Sequence, residues 1–177
     1  MTKKLPRKKR EIFFGKIIDS STCSEISKQF YDFDFMDKKA DPIDIIISSD
    51  GGDVYYSIGI YELIKNAKCQ INTYCLGIAA SAAVLPLVAG TIGNRHAFKQ
   101  STIMMHGIKE TEISDSNLRA MEEMLKEFNR IHKIYCKIIS SNTKLRYNTL
   151  DKMLREGNDI YLSPVRALKL GFIDKII

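Results

Sequence analysis

Apolar runs of strand length alternate along this chain with segments of helical periodicity, and short polar breaks join them. The isoleucine-rich run Ile43 to Ser48, bounded by Pro42 and Gly51, is typical of a buried strand. The next segment, Val54 to Asn66, repeats its apolar residues at helical spacing. This order favours an α/β domain with a largely parallel sheet.

The same patterns predict the other elements. We expect strands at Glu11 to Ile18, Gln70 to Leu76, Arg95 to Ala97 and Thr102 to Met105, and helices at Cys23 to Phe35, Ala79 to Val88 and Ser163 to Leu170. Apolar residues spaced by threes and fours predict one long amphipathic helix over 114–141.

The net charge of +6 is concentrated at the N-terminus, since six cations fall within the first ten residues. We therefore divide the chain into a basic tail, 1–10, and a single domain, 11–177, whose 45% hydrophobic content suits one compact core. The tail is interpreted as a solvated terminus, although such tails also touch nucleic acid or acidic membranes. We expect no nucleic-acid partner. We also expect no membrane span, because no apolar run reaches about 18 residues.

The four cysteines form no C-x-x-C pair, and no Cys/His group has the spacing typical of zinc sites. This usage indicates a reduced, cytoplasmic protein. We expect no metal and no cofactor.

Two segments carry potential catalytic side chains: LGIAASAAV around Ser81 and TIMMHGI around His106. Ser81 lies where a strand is predicted to give way to a helix, so free N–H groups and the helix dipole would stabilise negative charge nearby. His106 ends an apolar run, where an imidazole can serve as a base for a serine hydroxyl. By themselves, a packed serine and a structural histidine fit these patterns too.

Two further features could complete such a site. Gly51 and Gly52 follow a buried strand, and their N–H groups could donate to an oxyanion, although an ordinary turn fits the same sequence. Asp159 precedes the last helix and could orient a histidine. Spacing alone does not select it among the acidic residues.

The segments together resemble ClpP, the proteolytic subunits of the Clp protease. The matching pieces are REIFFGKI, IDIIISSDGGDV, YELIK, CLGIAASAAVLPLVAG, GNRHAF, STIMMH and DIYLSPVRALKLGFIDKII, which follow in order from Arg10 to the end. The resemblance implies a crotonase-related superhelix of β-β-α turns, with a handle made by a strand and the long helix.

The resemblance also implies roles for individual residues. Ser81 matches the nucleophile, His106 the general base and Asp159 the acid that orients it. The backbone N–H groups of Gly52 and Ala82 match the oxyanion hole. An extended substrate would lie between two segments: Asp53 and Val54 on one side, and Gly107, Ile108 and Lys109 on the other.

Members of this family assemble as rings of seven, usually two rings stacked handle to handle, and an ATPase of the Hsp100 type feeds them unfolded polypeptide. We therefore expect a homo-oligomer, a ring of seven with two stacked rings as an option, acting on polypeptides. ATP would be used only by the partner.

The sequence departs from the family pattern at several places. Only a short basic tail precedes the first strand, and the turn reads SDGG rather than SPGG. Asp44 and His96 stand at positions of the ATPase docking pocket that are usually aromatic. The stretch GIKETEIS replaces the usual start of the handle, and Gly157-Asn158 stands where a charged pair often links the rings. These changes suggest a divergent or phage-encoded member of the family. A phage-encoded member would act in the host cytosol.

Four alternatives remain beside the serine endopeptidase. The chain could be a catalytically weak scaffold that assembles with another proteolytic subunit, or a phage maturation protease. A crotonase-like acyl-CoA enzyme needs oxyanion glycines but no Ser-His-Asp set, and a Ser–Lys peptidase would not need His106.

Overall fold

The computed structural model of the chain describes residues 10–36, 41–108 and 117–177. The strands are β1 (Glu11–Phe14), β2 (Ile43–Ser49), β3 (Ile71–Ala80), β4 (Arg95–Ala97), β5 (Thr102–Met105), β6 (Ile160–Leu162) and β7 (Lys175–Ile176). The helices are α1 (Ser20–Tyr31), α2 (Val54–Lys65), α3 (Val84–Ala89), α4 (Leu118–Asn142), α5 (Tyr147–Arg155) and α6 (Pro164–Leu170), with a π-turn at Asp32–Met36 and a 3₁₀ turn at Ser81–Ala83.

The seven strands form one sheet in the order β1-β2-β3-β4-β7, with β5 beside β3 and β6 beside β5. Every pairing is parallel except that of β5 with β6. The predicted α/β class with a largely parallel sheet is therefore confirmed. In β2 the alternate residues Ile43, Ile45 and Ile47 point into the core, which explains the isoleucine run.

The region around the candidate nucleophile differs from the prediction. A strand ending at Leu76 and a helix starting at Ala79 were expected, but β3 continues to Ala80 and the helical turn begins only at Ser81. The reason is pairing: the residues Ile78, Ala79 and Ala80 pair with β5 after the strand turns at Gly77. Tertiary contact therefore overrides the helical preference of the alanines.

The first strand and helix also have different bounds from those predicted. β1 ends at Phe14, and Ile18 makes only an isolated bridge to Gly52. α1 begins earlier than expected because Asp19 caps it, accepting a hydrogen bond of 2.7 Å from the Thr22 amide. It ends at Tyr31, where the π-turn follows.

The other predicted helices lie where they were expected. α2 and α6 agree with the sequence within a residue or two, and α6 has Pro164 in its first turn and a left-handed Gly171 after its end. α4 covers the long amphipathic segment from Leu118 onward, and residues 114–116 lie outside the described chain. α5, β6 and β7 were not predicted.

Buried apolar side chains form one connected cluster that draws on one face of the sheet and on each of the helices α1 to α6. The strip Ala82 to Ala89 is buried throughout, so α3 runs through the middle of the core. Within the described residues, no helix combines the length and apolar character needed to cross a bilayer. The predicted basic tail, apart from Arg10, lies outside the described residues, and the division into tail and domain stays a prediction.

Candidate active site

Ser81 lies on a strained turn between a buried strand and a buried helix. Its φ angle is +54°, and it is the one non-glycine residue with positive φ in the described part of the chain. Such backbone is uncommon for a residue with a Cβ and persists only where the surroundings enforce it. A serine on a sharp strand-to-helix turn presents its hydroxyl away from both elements, as nucleophilic serines do.

Two hydroxyl groups hold this turn, one from α2 and one from α4. The Tyr135 hydroxyl of α4 donates to the Ser81 carbonyl oxygen at 3.1 Å, and the Ser57 hydroxyl of α2 donates to the Ala82 carbonyl oxygen at 2.6 Å. Burial raises the pKa of Tyr135, so its hydroxyl stays a donor at neutral pH. These contacts from α2 and α4 fix the carbonyls of the turn.

Gly51 packs directly against the same turn. A Cβ on Gly51 would lie 2.6 Å from the Ala80 oxygen and 2.8 Å from the Ser81 Cβ, and its φ is +100°. Only glycine allows both the left-handed backbone and this approach. The Gly-Gly turn after β2 therefore lies beside the candidate nucleophile.

The predicted oxyanion donors are the backbone N–H groups of Gly52 and Ala82. Gly52 is exposed and forms an isolated parallel bridge with Ile18. The two hydrogen bonds of this bridge are made by the neighbours of Gly52: the Ile18 amide donates to the Gly51 oxygen, and the Asp53 amide donates to the Ile18 oxygen. The bridge thus leaves the N–H of Gly52 outside the ladder. Ala82 is the second residue of the 3₁₀ turn, where the backbone N–H has no helical partner.

His106 follows the last residue of β5, which lies next to β3. Because Ala80 pairs with Met104, Ser81 and His106 follow the carboxyl ends of neighbouring parallel strands. Adjacent strands are about 4.8 Å apart, so the two side chains lie at the same edge of the sheet. His106 is half-buried, and its Nδ1 is 2.6 Å from the Gly107 carbonyl oxygen. That contact requires hydrogen on Nδ1 and leaves Nε2 as the acceptor, which is the tautomer of a general base.

Asp159 reaches the same edge from the antiparallel side. Met105 pairs with Ile160 in the β5–β6 ladder, so the residue before β6 lies opposite the residue after β5. These two residues are Asp159 and His106. Asp159 is exposed, so it lies at the rim of the site.

The predicted substrate-binding residues fall into two groups. The Asp53 carboxylate accepts from the amides of Tyr55 and Tyr56 at 2.7 and 3.3 Å, and its own amide donates to the Ile18 oxygen at 2.8 Å. Asp53 therefore holds the start of α2, with Val54 half-buried beside it. Their contact with substrate stays a prediction.

On the other side, Gly107 and Ile108 are half-buried after His106. A Cβ at Gly107 would lie 2.6 Å from the Leu154 oxygen, so this segment packs tightly on the end of α5. Lys109 and the strand expected after it lie outside the described residues.

The structure brings together a second group that the sequence analysis did not find. His132 and Cys136, four residues apart on α4, meet Asp151 of α5, and their potential ligand atoms all lie within 4.8 Å of one another. Burial, followed by the charge of Asp151, raises the pKa of the Cys136 thiol to about 12. The spacing of four on a helix was a usable signal, but Asp151 lies on a helix that the sequence did not reveal.

Comparison with known proteins places this geometry in context. The chain matches the family Clp protease over residues 2–177. It is 36% identical over 171 residues to the ATP-dependent Clp protease proteolytic subunit of Porphyromonas gingivalis, an alignment that covers 95% of this chain and 73% of that protein. It is 33% identical to the ATP-dependent Clp protease proteolytic subunit 2 of a Synechococcus species, with coverage of 96% and 84%.

A solved structure agrees in fold as well. A point mutant of ClpP1 from Listeria monocytogenes superposes with a TM-score of 0.84 at 25% identity, covering 95% of this chain and 91% of the other. The fold predicted from the resemblance is therefore confirmed, and the chain belongs to the Clp protease family.

Proposed function

We propose that this chain is a serine endopeptidase that cleaves unfolded polypeptides or peptides with Ser81, His106 and Asp159, inside a ring-shaped oligomer. The observation that carries the proposal is the strained backbone of Ser81, at φ +54°, held by two hydroxyl clamps and backed by Gly51. Strain of this kind in a packed core is typical of functional positions.

In the proposed mechanism the three residues act in the order expected of a Ser-His-Asp triad. Nε2 of His106 takes the proton of the Ser81 hydroxyl as its oxygen attacks the peptide carbonyl. The N–H groups of Gly52 and Ala82 stabilise the tetrahedral oxyanion, and one such donor contributes about 3 kcal/mol in comparable sites. His106 then protonates the leaving amine, and water releases the acyl group from Ser81 by the reverse steps.

Asp159 has a competitor for its role. The hydrogen on Nδ1 of His106 is directed at the Gly107 carbonyl oxygen, at 2.6 Å. For Asp159 to stabilise the imidazolium, its carboxylate must share or replace that contact. Segment 107–108 therefore influences how well the site is aligned.

This competition also favours a second candidate function. If Gly107 keeps the Nδ1 hydrogen, the base is poorly supported and the chain acts as a weak scaffold subunit beside another proteolytic subunit. The geometry of Ser81 favours the endopeptidase, because a scaffold has no need for a strained serine.

A fluorophosphonate probe separates the two candidates. We expect stoichiometric labelling of Ser81 in the assembled protein, absent in Ser81→Ala, together with hydrolysis of a fluorogenic peptide. Ser101→Ala is the matched control, because the buried Ser101 hydroxyl is engaged with the Cys75 carbonyl at 2.7 Å. An assembled protein without labelling would establish the scaffold.

Large exposed apolar side chains support self-assembly. Leu118, Met121 and Leu125 lie exposed on the first half of α4, and Phe13 and Ile17 are about two-thirds exposed near β1. Leaving such side chains in water is unfavourable, so faces of this kind mark interfaces. A ring of seven, with stacking of two rings through α4, is the assembly we propose. Native mass spectrometry measures it directly.

An ATPase of the Hsp100 type is the proposed partner, since the relatives are named as subunits of an ATP-dependent protease. The predicted docking surface carries polar groups: the Tyr74 ring stacks on His96 at 4.6 Å, and its hydroxyl donates to Asp44 at 3.4 Å. Inserting an apolar loop there would desolvate these groups, so we propose weak or altered coupling. The cytosol is the proposed compartment.

A further inference from the structure

We propose that His132, Cys136 and Asp151 form a zinc site between α4 and α5, separate from Ser81 and its partners. The three side chains offer nitrogen, sulfur and oxygen ligands, which is a donor set that Zn²⁺ accepts. Three protein ligands with one open position is an arrangement that zinc adopts in proteins.

The distances between the donor atoms fit one ion. The Cys136 sulfur lies 3.5 Å from Nε2 of His132, and a tetrahedral zinc would separate such a sulfur and nitrogen by roughly 3.6 Å. Nε2 lies 2.8 Å from Oδ1 of Asp151, against roughly 3.3 Å around zinc. The third edge, from the Cys136 sulfur to the Asp151 carboxylate, is at most 4.8 Å. An adjustment of Asp151 that widens the short edge by about half an ångström would make room for the ion.

The ring of His132 is already aimed at both partners. The same ring nitrogen, Nε2, contacts both Asp151 and Cys136, so it faces the space between the other two donor atoms. The ring is 6% exposed and the thiol is fully buried, so the packing of α4 fixes both positions. Only Asp151 needs to adjust, and its side chain is 28% exposed.

The fourth ligand has a route to the site. A cavity of about 380 Å³, lined among others by Gly107, Asn129, His132 and Arg155, opens beside the histidine. Water from this cavity can fill the open position. Because Gly107 lines the same cavity, the metal site and the segment after His106 share a wall.

Arg155 is the one cation that opposes the ion in the described surroundings. Its Nε donates to Oδ1 of Asp151 at 3.1 Å, and its side chain is 48% exposed. Exposed ion pairs of this kind contribute at most about 1 kcal/mol, so zinc would displace Arg155 into solvent. Arg155 therefore lowers the affinity of the site for zinc but does not prevent zinc from binding.

The test uses the untagged full-length protein, stripped of metal with a chelator and then titrated with Zn²⁺ by calorimetry or with Co²⁺ by absorbance. We expect one ion per chain and a thiolate-to-cobalt charge-transfer band. Cys136→Ser should remove the band and weaken the zinc affinity by roughly 100-fold or more, and Asp151→Asn by roughly 10-fold or more. Cys23→Ser, a thiol on α1, is the matched control and should keep both band and stoichiometry.

Arg155→Gln distinguishes a metal site from a hydrogen-bonded trio that serves packing alone. Removing the competing cation should tighten zinc binding by roughly threefold to tenfold. Absence of binding to the wild-type chain, or a cobalt band that survives in Cys136→Ser, would overturn the proposal. So would weaker binding in Arg155→Gln. If Cys136→Ser fails to fold, the Asp151→Asn and Arg155→Gln results decide.

Discussion

Two groups of side chains in this molecule each combine a histidine, an aspartate and a potential nucleophile, but they lie on different kinds of backbone. Ser81, His106 and Asp159 follow or precede strands at one edge of the sheet, whereas Cys136, His132 and Asp151 lie within α4 and α5. At the sheet edge, the strand-to-helix turn leaves N–H groups next to the hydroxyl. Inside α4, the backbone N–H groups are used by the helix itself.

This difference decides what each group can do. A serine with N–H donors beside it can attack a carbonyl, because the resulting oxyanion is stabilised. Cys136 has no such donors within its helix turn, and burial together with the charge of Asp151 raises its pKa to about 12, so without a bound metal it stays a thiol. A nucleophile, a histidine and an aspartate are therefore not sufficient for nucleophilic catalysis. The local backbone must also supply N–H donors for the oxyanion.

The largest expected effect concerns the base of the sheet-edge group. His106→Gln removes the proton acceptor while keeping a polar side chain of similar size, so peptidase activity should fall by a factor on the order of 10⁴ or more. The measurement is hydrolysis of a fluorogenic peptide by protein whose assembly matches that of the wild type. Activity within tenfold of the wild type would show that His106 is not the base and would remove the distinction drawn above.

The second prediction moves a thiol from one environment to the other. In Ser81→Cys, the new thiol lies at the helix start beside His106, so it should react with iodoacetamide at neutral pH roughly 10³-fold faster than Cys136 does in the folded wild type. Mass spectrometry of the alkylated peptides gives both rates. Comparable rates would mean that the two environments do not differ as described.

The sequence predicted the fold class well, because alternation of strand and helix patterns depends on local periodicity. β2, α2 and α6 carry strong signals of this kind: an isoleucine run, a clear helical face and Pro164 with Gly171 at the two ends. Short motifs made Ser81, His106 and the glycine pair candidates, and the family resemblance assigned their predicted roles. Family resemblance selected Asp159, whose position depends on the antiparallel β5–β6 register that no local pattern records.

What the sequence missed depends on contacts between distant segments. The extension of β3 to Ala80 follows from pairing with β5, and the positive φ of Ser81 follows from that extension. The Tyr135 and Ser57 clamps each join the turn to another helix, across 54 and 25 residues. His132, Cys136 and Asp151 required the packing of α4 on α5. Such features are properties of tertiary structure.

The third prediction compares two glycines with similar backbone and different surroundings. Gly51 has φ +100° and no room for a Cβ, whereas Gly93 has φ +91° and nothing within 4 Å of the Cβ position. Gly51→Ala should lower the free energy of unfolding by roughly 3 kcal/mol and disturb Ser81 labelling. Gly93→Ala should cost about 1 kcal/mol, with labelling intact. Equal losses in chemical denaturation would show that the backbone strain, and not the contact with the Ser81 turn, makes Gly51 necessary.

The smallest expected effect concerns the clamps on the Ser81 turn. Tyr135→Phe and Ser57→Ala each remove one donor to a carbonyl of the turn, so each should lower the free energy of unfolding by about 1 kcal/mol and slow Ser81 labelling less than tenfold. Because both donors hold the same short turn, we expect the labelling rate of the double variant to fall by more than the product of the two single effects. A double-mutant cycle on the fluorophosphonate rate measures this coupling. Strict additivity would mean that Tyr135 and Ser57 stabilise the fold independently, and that the strain at Ser81 is maintained by Gly51 and the β3–β5 pairing alone.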